Sequence, residues 1–78
     1  MSLPGPTIDV SADHGRTELE ARVLYRLSGQ VRDFELVVTD AGLILRGRAR
    51  TYYAKQVAQH TVMQASTLPI LANEIEVT

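Results

Sequence analysis

Eight consecutive residues, Leu43-Ile44-Leu45-Arg46-Gly47-Arg48-Ala49-Arg50, alternate between two chemistries. Leu43, Leu45, Gly47 and Ala49 fall on one side at a period of two; Ile44, Arg46, Arg48 and Arg50 fall on the other. A β-strand with one buried and one open face gives that separation. The stretch before it, Phe34-Glu35-Leu36-Val37-Val38-Thr39, is rich in β-branched and apolar residues, with Phe34, Leu36 and Val38 of one parity. Asp40-Ala41-Gly42 between the two is a turn, with Gly42 where a positive φ is needed. A hairpin with one wet face is expected, and other parts of the chain must cover its dry face.

Two helices supply the cover. Leu19, Val23 and Leu27 recur at i, i+4 and i+8, Leu24 widens the stripe, and Arg22 and Arg26 fall off it. Thr17-x-x-Glu20 has capping-box spacing and predicts a start there. Ser28-Gly29 supplies the stop. Thr51 is placed to cap a second helix over about 52–66, striped by Ala54, Val57, Ala58, Thr61, Val62 and Ala65. Those small residues permit close approach to a sheet. Pro69 ends the helix, and Ile70 to Val77 has the pattern of a last strand, with Leu71, Ile75 and Val77 of one parity and Glu74 and Glu76 of the other.

The order α-β-β-α-β implies an α+β fold, a two-layer sandwich of a three-stranded sheet with two helices on one face. Its expected core is Leu19, Val23, Leu27, Phe34, Leu36, Val38, Leu43, Leu45, Ala58, Val62, Ile75 and Val77. Gly47 shares the core parity, so it is expected to let a helix pack closely. On that reading a side chain at 47 costs more than one at 42. Asn73 also has core parity and needs hydrogen-bond partners.

The chain has 78 residues, enough for one small domain. Pro4, Gly5, Pro6 and Gly15 break regular structure, so residues 1–15 are expected as a flexible tail or linker and residues 16–78 as the domain. Thr7–Val10 has the composition of a short strand. Joined to the sheet, it would turn the order into β-α-β-β-α-β, a ferredoxin-like arrangement. The chain has no cysteine, which excludes disulfides and thiolate metal sites. It has no apolar run of membrane-spanning length and no visible secretory signal.

From about Leu19 to Val77 the sequence resembles the BON domain, a small module of bacterial envelope proteins. The resemblance rests on the Val23…Leu27 stripe and Phe34-x-Leu36-x-Val38. It rests further on Gly42-Leu43-Ile44-Leu45-Arg46-Gly47-Arg48-Ala49, which looks like the family's glycine-hydrophobic-x-leucine-x-glycine-x-hydrophobic core. Thr51, Lys55 and Ala58 follow at the family's spacing, and Asn73-x-Ile75-x-Val77 closes the pattern. One departure is Thr67-Leu68-Pro69, where the family has Gly-Val before the last strand. The resemblance implies a non-catalytic, periplasmic or envelope-associated module that meets phospholipid or an envelope protein.

The residues themselves carry little catalytic chemistry. His14 and His60 lack partners at metal-ligand spacing, and the serines lack a histidine and acid. Glu18 and Glu20 suit a helix start; Glu74 and Glu76 suit an exposed strand face. Gly42-x-x-x-x-Gly47 lacks the Lys-Ser/Thr of a phosphate loop. No enzyme activity, cofactor or metal is therefore expected. A net charge of −1 and strands without stacking aromatics argue against nucleic acid. The arginine ladder Arg46, Arg48 and Arg50 is expected to face acids on neighbouring strands and so to be partly self-neutralised, a weak anion binder. Arg48, Arg50, Tyr52, Tyr53 and Lys55 run from the second strand into the second helix, and are expected to form one rim that binds lipid or another anion. The rival expectation is a protein-interaction module without lipid affinity. Such a module would use the sheet face around Val37 and Ile44, or an edge strand, for example as a homodimer.

Overall fold

The structure, a computed structural model, describes Val10 and residues 13–78. Helix α1 spans Asp13–Leu27, strand β1 Val31–Val38, strand β2 Leu43–Ala49, helix α2 Tyr52–Ala65 and strand β3 Ile70–Val77. The sheet order is β1-β2-β3; β1 and β2 are antiparallel, β2 and β3 parallel. The parallel pair needs a crossover, and α2 provides it. Both helices lie on the face of Leu36, Leu43, Leu45 and Ile75, all buried, whereas Glu35, Arg46, Arg48, Glu74 and Glu76 are exposed on the other face. This is the expected two-layer α+β sandwich.

The dry layer joins large α1 residues, Leu19, Val23 and Leu27, to small α2 residues, Ala54, Ala58, Thr61 and Ala65. The small residues let α2 lie low on the sheet. Thr61 satisfies its buried hydroxyl within the helix, donating to the Val57 carbonyl at 2.8 Å. Thr51 caps α2 as expected, its hydroxyl accepting from the Ala54 amide at 3.0 Å. Ser28 and Gly29, at φ 38° and 84°, turn the chain out of α1 into β1.

Several sequence expectations are corrected. Helix α1 begins at Asp13, so Thr17 and Glu20 form no capping box; they lie a full turn inside the helix. The boundary drawn between residues 15 and 16 falls within α1, and Val10, assigned to the tail, is buried in the core. Residues 7–9 of the suggested extra strand lie outside the described residues. Glu20 does not serve the helix start either. Its carboxylate accepts the Leu36 amide of edge strand β1 at 2.8 Å.

Val31 joins the core unforeseen, because β1 contains a bulge. Arg32 pairs with Arg48 but Glu35 pairs with Arg46, so Asp33 and Phe34 together oppose Gly47. Asp33 takes the left-handed region at φ 54°, where a short polar side chain is tolerated. The extra residue resets the parity, and Val31 and Phe34 both turn toward the helices. Val77, by contrast, has the right parity but lies at the open end of β3 and is exposed.

The bulge also explains Gly47, and not by helix packing. A Cβ there would lie 3.0 Å from the Arg32 carbonyl oxygen and 3.1 Å from the Phe34 Cα, both on β1, at a φ of 150°. Gly42 is the tighter site, reversing the expected order. Its φ is 155°, and a Cβ would overlap the Pro69 carbonyl oxygen. That oxygen accepts the Leu43 amide at 2.8 Å, where β3 meets β2. Thr39 closes the turn from the other side. Its hydroxyl accepts from the Ala41 and Gly42 amides and donates to the Gly42 carbonyl.

Candidate functional site

Strand directions decide which residues meet. β1 is antiparallel to β2, so the α1–β1 and β2–α2 connections lie at the same end of the sheet, and β3 finishes there too. The Arg50 amide donates to the Gln30 carbonyl and the Thr78 amide to the Ala49 carbonyl, each at 2.9 Å. This end gathers Arg26 from the last turn of α1, Arg32 from β1, Arg48 and Arg50 from β2 and its exit, and Lys55 from the first turn of α2. Asp33 and Glu76 are the acids beside them.

The three tyrosines lie at the same end. Tyr25, Tyr52 and Tyr53 are 89%, 63% and 73% exposed. An exposed tyrosine needs no explanation singly. Three at one end, among bases, make an amphipathic rim, with rings for an apolar layer and hydroxyls for water. The first turn of α2 holds no acid, so its amides and positive dipole end add to the field.

The five residues predicted from sequence share this end, but only three of them line a hollow. Arg48 and Arg50 line one with Arg32, Gln30 and Thr78. Tyr53 lines another, between the helices, with Arg26 and His60. Gln30 borders both. Tyr52 and Lys55 line neither. Lys55 lies on the β3 side of α2, where its carbonyl accepts from the Asn73 amide nitrogen at 3.2 Å.

The arginine ladder proves partly self-neutralised. The middle row of the open face is Glu35, Arg46 and Glu74, and Arg46 Nε meets Glu74 Oε1 at 3.1 Å. The next row, Arg32, Arg48 and Glu76, sets two cations side by side with one acid. Positive potential therefore rises toward the connection end. The remaining row, Val37, Ile44 and Ala72, is apolar and half-buried.

Asn73 is the structural residue expected of it. Its amide nitrogen bonds the Lys55 carbonyl and the Gln59 side chain, and its oxygen accepts the Ile75 amide at 3.2 Å. It ties edge strand β3 to α2 while occupying an outward donor, as Glu20 does on β1. Both sheet edges thus have a central donor already taken, which disfavours strand addition.

Sequence reasoning missed Arg26, Arg32, Gln30 and Tyr25. Arg26 was legible only as a residue off the helix stripe. The signal that recovers it is topological: a hairpin following α1 returns the chain to the end where α1 stopped. Among the described residues no group of histidines and acids is arranged to hold a metal ion. None of their helices is long and apolar enough to cross a membrane. No protein-family model matches the chain, and neither does any curated protein or solved structure.

Proposed function

We propose that this chain is a non-catalytic binding module of BON type that attaches reversibly to anionic phospholipid surfaces through its connection end. The observation carrying this reading is the gathering of all three tyrosines and five bases, against two acids among the described residues, at one end of the fold. Each base near an anionic surface contributes about 1 kcal/mol. Three or four engaged at once give weak, reversible binding that salt screens within about 10 Å at 0.1 M. Aromatic rings at the headgroup level add an uncharged component.

The test is co-sedimentation with anionic and with neutral vesicles at low and high salt. Binding to anionic vesicles that fades with salt, and is abolished by Arg50→Glu with Lys55→Glu, supports the reading. Arg50 is exposed and Lys55 half-buried outside the apolar core, so the domain should stay folded, checked by circular dichroism. Absence of binding at low salt refutes it. The second reading, a protein-assembly module, draws on the uncovered apolar row Val37, Ile44 and Ala72. Concentration-dependent sedimentation, lost in Ile44→Glu, would favour that reading.

A further inference from the structure

The hollow between the helices has its own chemistry. Helix α1 stops at Leu27, and the left-handed turn at Ser28 and Gly29 drops the chain away toward β1. Helix α2 keeps its flank there, so Val57 stays half-buried and forms an apolar floor with Leu27. Tyr53 also lines it. The space is about 660 Å³, within the range of roughly 300–1,000 Å³ typical of small-molecule sites.

The polar side chains around this floor all offer hydrogen-bond donors. Arg26 contributes a guanidinium, His60 an imidazole, and Gln30 and Gln56 carboxamides. Among the described residues, no acid lines the groove. Among the described residues, no ion pair engages Arg26, since the pair present is Arg46 with Glu74. A guanidinium beside amide donors, free of competing carboxylates, presents a fork suited to a carboxylate or phosphate. The apolar floor adds what a bare anion does not use.

We propose that this groove binds small amphipathic organic anions, in which an anionic group meets Arg26 and an aromatic or short aliphatic body lies on Leu27, Val57 and Tyr53. The site shares Gln30 with the Arg48 and Arg50 hollow, and Arg26 and Tyr53 with the proposed membrane-facing end, but the anion contact it needs is at Arg26 and not at Arg50. Its ligand is a soluble molecule, so the two readings stand or fall separately.

The experiment is an amide NMR titration of the full chain with phenyl phosphate, beside inorganic phosphate and benzyl alcohol. Phenyl phosphate should shift resonances of residues 26–30 and 53–60 and bind at least tenfold more tightly than either control. Arg26→Gln should weaken it at least tenfold, and Arg46→Gln, on the open sheet face and paired with Glu74, should leave it unchanged. Exposed Arg26 can be replaced without unfolding, which the spectrum itself reports. Three results overturn the proposal. They are phenyl phosphate binding no better than inorganic phosphate, shifts centred on residues 48–50, or affinity indifferent to Arg26→Gln.

Discussion

Replacing Gly42 by alanine should be more damaging than the same change at Gly29 or Gly47. The backbone there has φ 155°, and the new Cβ would overlap the Pro69 carbonyl oxygen, with the Pro69 and Leu71 side chains each at 3.1 Å. A non-glycine residue in such a region costs about 1–3 kcal/mol. Relief requires Pro69 to retreat, yet its carbonyl holds the Leu43 amide at 2.8 Å. Losing that bond costs a further 0.5–1.5 kcal/mol or so. The total is about 2–4 kcal/mol, a large share of what a domain this size has. Gly29→Ala is the control. Its φ is 84° but nothing lies within 4 Å of the new methyl, so only the conformational cost of about 1 kcal/mol remains. Urea unfolding of both variants, compared at equal m-value, separates collision from conformation. Equal midpoints for the two would refute the argument that β3 is locked against the turn at Pro69.

Glu20→Leu should cost about 1–3 kcal/mol by leaving the Leu36 amide without its carboxylate, and hydrogen exchange at Leu36 should accelerate more than at its neighbours. Asn73→Ala should destabilise by a similar amount, since it removes bonds to both α2 and β3; a denaturation midpoint within error of the parent would contradict that role. Arg46→Gln should change stability by less than about 1 kcal/mol, because the Arg46 and Glu74 side chains are 57% and 50% exposed. Asp33→Gly should be tolerated and Asp33→Val should not, as the bulge holds residue 33 at φ 54°; thermal melts that rank the two the other way would remove the bulge argument.

The hairpin and the last strand were legible because a period of two sorts Leu43 to Ala49 and Glu74 to Val77 without ambiguity. The stripe of α2 and its Thr51 cap were legible for the same local reason. Val31 was hidden because the bulge that turns it inward is a property of pairing with Gly47 and leaves no periodic trace. Gly47 itself had the right parity and the wrong neighbour: sequence gives a face, not which element approaches it. Glu20 had one local use, at the helix start, and took another across 16 positions. Val77 shows the limit of parity, since a strand can run past the layer that would cover it. At the candidate site, the Arg48-to-Lys55 rim followed from chain continuity. Arg26, Arg32 and Tyr25 belong to it only through the way strand directions return the chain to one end.

The most direct measurement of the central claim uses the tyrosines themselves. The chain has three tyrosines and no tryptophan, and all three tyrosines lie at the connection end, so intrinsic emission reports that end alone. Vesicles carrying a spin-labelled quencher at the headgroup level should dim this emission when anionic, with recovery on adding salt, and leave it unchanged when neutral. Emission indifferent to anionic vesicles at low salt, or equally quenched by neutral ones, would contradict attachment through this basic, tyrosine-bearing end.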